Sequence, residues 1–149
     1  MNEAALEAME VIATMGESGN ALTIGVAGKQ TTVVTTEMTA QSLGSGELPV
    51  LATPQMIALM ENTAHKSVKP YLEDGQGTVG TLIQVRHTAA TPVGMEISIE
   101  AKLTEIDRKR LVFEVRAFDA AGCIGEGVHE RFIVSNDRFM EKARQKLSC

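Results

Sequence analysis

Aromatic residues are scarce in this sequence, at 3% of 149 residues, and tryptophan is absent. Proteins that bind single-stranded nucleic acids stack the bases on aromatic side chains, so this class of function is disfavoured. Basic residues are also in the minority, with 14 Lys and Arg against 19 Asp and Glu and a formal net charge of −5. A duplex-binding protein must neutralise many phosphates. We therefore expect a small molecule or another protein as the partner, and no nucleic acid.

Cysteine and long apolar segments are equally scarce. Only Cys123 and Cys149 are present, which excludes a disulfide framework and a clustered cysteine metal site. No apolar run reaches the roughly 18 residues of a membrane-spanning helix. The first residues, MNEAALEAME, are acidic where a secretory signal is basic.

His65, His87 and His129 lack the spacing of metal ligands. We expect a cytoplasmic protein with no membrane association and no metal.

The chain length predicts one domain with a single core. Residues 2–15 predict a short helix that Asn2 caps and Gly16 ends. Its apolar stripe is narrow, and a polar linker follows. We therefore predict a helical appendage over residues 1–19 and the main domain over residues 20–149.

A strand and a long helix open the main domain. Residues 29–38 are rich in β-branched side chains and predict a strand, whereas the glycines and proline of residues 41–50 predict an irregular loop. Thr53 is a favoured N-cap and Pro54 a favoured first helical residue. The helix is expected to continue until Pro70 stops it.

Four further strands are expected after this helix. Apolar and polar residues alternate along each segment, as in strands with one buried and one wet face. The segments are residues 79–87, 95–104, 111–117 and 123–134, and a polar helix is expected from residue 136 or 137. Short turns join most of them. The prediction is an α+β fold in which the long helix packs on one face of an antiparallel sheet.

Ile57, Met60, Ala64 and Val68 are predicted to form the apolar arc of the long helix, and Glu61 lies at its border. A carboxylate at such a border is partly stripped of its hydration, which suits a general base or a nucleophile. The alternative is a solubilising glutamate that reaches water past its neighbours.

Two other side chains could take part in chemistry. His87 shares a strand face with Ile83 and Val85 and is expected to point toward the helix layer, where an imidazole could move protons. It could equally be a histidine at the core edge, bonded to a backbone carbonyl. Thr53 is sufficiently explained as an N-cap, although its hydroxyl lies beside helix N–H groups that could bind an oxyanion.

The distance between Thr53 and Glu61 constrains any shared site. Eight helical residues separate them, a rise of about 12 Å. Both side chains could reach one carbonyl only with difficulty inside a single chain. We therefore predict a homodimer whose sites combine residues of both subunits, with a tetramer as the alternative.

Three segments carry a resemblance to a known family. LATPQMIALMENTA, GTVGTLIQVRHTAATPVGM and IGEGVHERFIV resemble the hot-dog-fold thioesterases of the fluoroacetyl-CoA thioesterase type, over about Val50 to Phe139. The resemblance implies a hot-dog fold, a long helix wrapped by an antiparallel sheet. This agrees with the predicted element order.

The resemblance also implies site residues. Thr53, Glu61 and His87 match the threonine, glutamate and histidine with which this family hydrolyses acyl-CoA thioesters. Gly80 matches a glycine near the acyl pocket, and Arg131 matches an arginine near the site. The fluoroacetyl-specific members place phenylalanines before the helix, whereas LGSGELPVLAT contains no aromatic residue. Selectivity for fluoroacetyl groups is therefore not expected.

Together these observations predict an acyl-CoA thioesterase that needs no cofactor, since coenzyme A is part of the substrate. Two alternatives stay open. Hot-dog dehydratases also pair a histidine with a helical acid, so the enzyme could hydrate an enoyl thioester. The domain could also bind acyl-CoA without catalysis.

Overall fold

The computed structural model describes residues 21–148, so the predicted N-terminal helix lies outside the described residues. The described part contains five strands and three α-helices, with short 3-10 turns between some of them. In chain order they are β1 (Ala27–Val33), α1 (Ala40–Leu43), α2 (Thr53–Val68), β2 (Gln76–His87), β3 (Glu96–Asp107), β4 (Arg110–Asp119), β5 (Gly122–Ser135) and α3 (Asn136–Gln145).

The five strands form one antiparallel sheet in the order β1-β3-β4-β5-β2. Helix α2 packs across one face of this sheet, against strands β1 to β4. Among the described residues no strand lies beyond β2, so β2 presents a free edge of 12 residues. The predicted α+β arrangement is confirmed.

The core lies between α2 and the inner face of the sheet. Every second residue of β3 and β4 is buried, as the alternation predicts. These are Ile97, Ile99, Ala101 and Leu103 in β3, and Leu111, Phe113, Val115 and Ala117 in β4. The opposite face of the sheet carries mostly polar side chains, including the ion pairs of Lys29 in β1 with Glu100 and of Arg116 with Glu114. One face of the sheet is therefore apolar and covered, and the other is wet.

Helix α2 buries a stripe of Met56, Met60, Ala64 and Val68. The predicted arc is correct for three of its members, while Ile57 is only half-buried. The α-helix ends at Val68, and a 3-10 turn containing Pro70 follows it. The proline stops the helix because it lacks an N–H donor and clashes with the preceding turn.

Two boundaries before α2 differ from the predictions. The predicted strand over residues 29–38 ends at Val33, and Thr36–Met38 form a 3-10 turn. The predicted loop contains the short helix α1, which begins after Thr39 because the Thr39 hydroxyl accepts a hydrogen bond from the Ser42 N–H. Gly44 ends α1 in the left-handed region, where glycine carries no steric cost.

No helix within residues 21–148 has both the length and the apolar character required to cross a membrane.

Candidate active site

Thr53 and His87 form a hydrogen-bonded pair at the start of α2. The Thr53 Oγ1 atom lies 2.8 Å from His87 Nδ1, at the end of β2. The prediction that Thr53 is the N-cap is wrong. Ala52 is the N-cap and Thr53 is the first helical residue, with no side-chain cap bond. The Thr53 hydroxyl therefore caps no helix N–H group. It bonds instead to the imidazole of His87, which lies 34 residues later in the sequence.

His87 faces the helix layer, as predicted, and its second ring nitrogen is available. The Nε2 atom is buried and has no hydrogen-bond partner among the described residues. Burial lowers the pKa of His87, and the backbone of Ala89 acts in the opposite direction. A ring held at Nδ1 and neutral near pH 7 leaves Nε2 to exchange a proton with a reacting group.

Glu61 lies two turns further along α2, beside Gly80 of β2 and Arg131 of β5. Its Oε2 atom is 3.7 Å from Arg131 Nη1. A Cβ atom on Gly80 would lie only 2.8 Å from the same Oε2. The register of β2 on β5 shifts directly after Gly80, between Gly80 and Leu82. Such a bulge bends the strand and re-aims side chains, which is common beside active sites.

Arg131 is a buried cation with several internal partners. Only 7% of the residue is exposed. Its Nε donates to Thr78 Oγ1 at 2.8 Å, and its Nη2 donates to the Thr78 carbonyl at 2.9 Å. Burial lowers the pKa of Arg131, and the Glu61 carboxylate opposes this shift. The guanidinium is thus directed at Glu61, while contact with substrate stays a prediction.

His129 is a neighbour of this cluster that the sequence-based site did not include. It is buried, and its Nε2 lies 3.1 Å from Arg131 Nη1. The alternation in GEGVHER places His129 and Arg131 on one strand face, and this pattern could have identified it. Nothing in the sequence indicates that this face meets Glu61.

The site residues therefore form two groups in one chain. The Thr53–His87 pair lies at one end of the α2–β2 contact, and Glu61 with Gly80, His129 and Arg131 lies further along it. The eight-residue separation along α2 corresponds to about 12 Å. A single reacting carbonyl does not easily span this distance.

Gly80 gives the first test of the Glu61 group. We expect Gly80→Ala to lower kcat about 10- to 100-fold, because the new methyl group must displace the carboxylate from its place. The closest clash is with the far end of the flexible Glu61 side chain, but the methyl group would also lie 3.3 Å from His129 Cε1, so we expect a smaller loss of stability than in Gly28→Ala. Steady-state hydrolysis and thermal unfolding check the two expectations.

Gly28→Ala provides the matched control. A Cβ atom there would lie 2.9 Å from Ser67 Cβ and 3.0 Å from the Thr63 carbonyl, at the packed β1–α2 contact. This variant should lose stability but keep its kcat per folded molecule. A Gly80→Ala enzyme with wild-type kcat would contradict the described role of this glycine.

Comparison with known proteins identifies the family. The sequence profile of the FlK family, described as fluoroacetyl-CoA-specific thioesterase, matches residues 34–137. This chain belongs to that family. The predicted hot-dog fold and the predicted class of thioester hydrolase are thereby confirmed, whereas the roles of individual residues stay predictions.

Individual relatives agree with the family match. The fluoroacetyl-CoA thioesterase of Streptantibioticus cattleyicolor is 43% identical over 97 residues, which span 65% of this chain and 70% of the relative. A crystal structure of the fluoroacetyl-CoA thioesterase FlK superposes with a TM-score of 0.80 at 37% identity, covering 85% of this chain and 98% of the other. A thioesterase superfamily member from Thermus thermophilus has a TM-score of 0.78 at 30% identity, over 84% and 93% of the two chains.

Proposed function

We propose that this protein hydrolyses an acyl-CoA thioester to the free acid and coenzyme A, with Glu61, His87 and Thr53 as its catalytic groups. The observation that carries the proposal is the arrangement of these side chains along the α2–β2 contact, in a member of a thioesterase family. The catalytic groups have neighbours that can orient them. Thr53 holds His87, and Arg131 faces Glu61.

Two routes use these groups. In the first, Glu61 removes a proton from water, and the water oxygen attacks the carbonyl carbon. In the second, the Glu61 carboxylate attacks the carbonyl carbon itself, and water then hydrolyses the resulting anhydride. In both routes the carbon–sulfur bond breaks and the sulfur leaves with the bonding electrons. His87 moves protons between water and the departing thiolate, and Thr53 orients its ring.

The acting unit in this proposal is a homodimer. Strand β2 exposes a long edge whose N–H and C=O groups can pair with another strand. Antiparallel pairing of two β2 strands about a two-fold axis near their middle would bring the His87 end of one copy beside the Gln76–Gly80 end of the other. Glu61 of one subunit would then face the Thr53–His87 pair of its partner. A tetramer is the alternative assembly, and the mass in solution decides between them.

The substrate we propose carries an uncharged aliphatic acyl group. A cleft of about 340 Å³ opens beside the Thr53–His87 pair. Small or aliphatic side chains such as Ala40, Val50 and Pro54 line it, and His87 is its one titratable lining residue within the described chain. An uncharged lining disfavours a second carboxylate on the acyl chain, because that charge would lose its hydration without a partner.

Selectivity for fluoroacetyl groups is not part of the proposal. No aromatic side chain occurs between Leu43 and Thr53. Two of the three leucines of this segment are open to solvent, with Leu43 48% and Leu48 66% exposed, whereas Leu51 is buried in the core. The lid of phenylalanines that the family resemblance implies for the fluoroacetyl-specific members therefore has no counterpart here.

The proposal includes a cytoplasmic location and no cofactor. A thiolate is a good leaving group, so a carboxylate and an imidazole are chemically sufficient. Acyl-CoA supplies its own coenzyme, and Cys123 is a free thiol, in keeping with a reducing compartment.

Release of free thiol from a panel of acyl-CoAs tests the proposed function. The panel runs from acetyl to lauroyl and includes phenylacetyl, fluoroacetyl, an enoyl thioester and the charged succinyl thioester. We expect turnover with uncharged acyl groups and little with succinyl-CoA. A change in enoyl absorbance without thiol release would instead indicate a hydratase. Calorimetric binding of intact acyl-CoA without turnover would indicate a binding module.

A further inference from the structure

His129 is a buried titratable side chain beside Glu61 that the proposed reaction does not use. It lies on β5 two residues before Arg131 and is 1% exposed. We infer that His129 is a positioning residue whose neutral imidazole holds the Arg131 guanidinium in the orientation that aligns the Glu61 carboxylate. This inference rests on the proposed hydrolysis at Glu61.

The partners of His129 fix its protonation. Its Nδ1 atom lies 2.7 Å from the carbonyl oxygen of Leu82, which can only accept a hydrogen bond. Nδ1 must therefore carry the proton. Its Nε2 atom lies 3.1 Å from Arg131 Nη1, which can only donate. Nε2 must therefore be unprotonated, so the ring is the neutral Nδ1–H form.

The surroundings favour this neutral form. The pKa of His129 is lowered, mainly because the ring is buried and also because Arg131 is a cation. The Leu82 carbonyl and the Glu61 carboxylate act in the opposite direction. A protonated ring would direct an N–H group at a cation. The ring of Phe113 packs beside the imidazole, with 6.2 Å between the ring centroids.

His129 completes the support of Arg131. The guanidinium has five N–H donors. One contacts the Thr78 hydroxyl, one the Thr78 carbonyl and one His129, which together leave little freedom to rotate. Nη1 has a second N–H group, and Glu61 Oε2 lies 3.7 Å from this nitrogen. Without the acceptor at Nε2 the planar guanidinium is held only on its Thr78 side, so it can pivot about those two bonds and move Nη1 relative to Glu61.

A direct role for His129 in the reaction does not fit these contacts. Both ring nitrogens are bonded inside the protein, and almost none of the residue is exposed. The imidazole can reach the reacting atoms only through Arg131.

Three substitutions separate positioning from mere packing. His129→Leu removes both hydrogen bonds and should lower kcat about 10- to 100-fold with a change in KM below about 3-fold, since a small misplacement of a catalytic group has effects of this size. His129→Asn keeps a donor for the Leu82 carbonyl but ends short of Arg131, so it should lose a similar factor. His129→Gln places an amide oxygen near the Nε2 position and should recover most of the lost kcat.

The same substitutions are then made in an Arg131→Met background. If His129 acts through Arg131, His129→Leu and His129→Asn should have no further effect on kcat there, because the interaction is already lost. Two results would overturn the inference: losses in kcat that multiply when His129 and Arg131 are both replaced, or a His129→Gln enzyme that is as slow as His129→Leu. If His129→Leu does not fold, the His129→Asn and His129→Gln pair gives the same decision.

Nitrogen NMR of the imidazoles gives a readout that does not depend on activity. The chain has three histidines, so single variants assign their signals. We expect His129 to be neutral at neutral pH, with its proton on Nδ1. The Nε2 resonance of His129 should shift in Arg131→Met, because that nitrogen loses its hydrogen-bond donor. A ring that is protonated, or that carries its proton on Nε2, would overturn the inference. A wild-type protein without any turnover would overturn the proposed function, and the NMR spectrum would still decide the contact.

Discussion

Glu61→Gln should lower kcat at least about 100-fold, with the protein still folded and KM changed only a few-fold. The amide has nearly the shape of the carboxylate but can neither accept a proton from water nor attack a thioester. The neighbours of the side chain differ little, because Arg131 stays bonded to Thr78. Steady-state thiol release on the best substrate of the panel measures the loss.

Glu96→Gln is the matched control for this variant. Glu96 is an exposed residue at the start of β3, so the same loss of one charge there should leave kcat within about 2-fold of wild type. Near-full hydrolysis by Glu61→Gln would remove Glu61 from the chemistry. Glu61 would then be a solubilising residue at the border of the apolar arc of α2.

His87→Gln is the second variant with a large expected effect. We expect a loss of about 100-fold in kcat, because glutamine cannot carry protons between water and the thiolate. Thr53→Val removes the hydroxyl at 2.8 Å from His87 Nδ1 and should cost less, about 10-fold, since the imidazole is still present.

The pH profile gives His87 a further test. An imidazole can accept a proton only in its neutral form. Because burial lowers the pKa of His87 below the ordinary histidine value of about 6.5, the neutral form persists to more acidic pH. The wild-type kcat/KM should therefore stay level on the neutral side and fall only as pH drops below that value. In His87→Gln the residual rate should lack this inflection, and an unchanged inflection would assign it to another group.

The sequence predicts the scaffold well because local patterns determine it. Alternating residues place Ile97 and Phe113 in the core, and both are buried. Pro54 and Pro70 mark the ends of α2 closely, since proline favours the first turn and disrupts the interior. The register shift beside Gly80 has no comparable local pattern, because two glycine-containing strands can pair in several ways.

The site is predictable only in part, because its contacts are long-range. Periodicity marks Thr53, Glu61 and His87 as candidates but leaves a structural explanation open for each, and only the family resemblance favours the catalytic interpretation. The Thr53–His87 bond joins residues 34 positions apart, and a favourable N-cap residue gives no indication of it. His129 is absent from these candidates for the same reason. A buried histidine in a strand has many structural explanations, and only the fold shows that it meets Arg131.

The most direct test of the composite site uses two inactive variants together. Glu61→Gln and His87→Gln are co-expressed with different tags, and the doubly tagged species and the mixture are assayed for thiol release. If each site takes Glu61 from one subunit and His87 from the other, one of the two sites in every mixed dimer is intact. Random pairing then restores about a quarter of the wild-type activity. Mixed dimers that are no more active than the single variants would show that each chain works alone and would contradict the account.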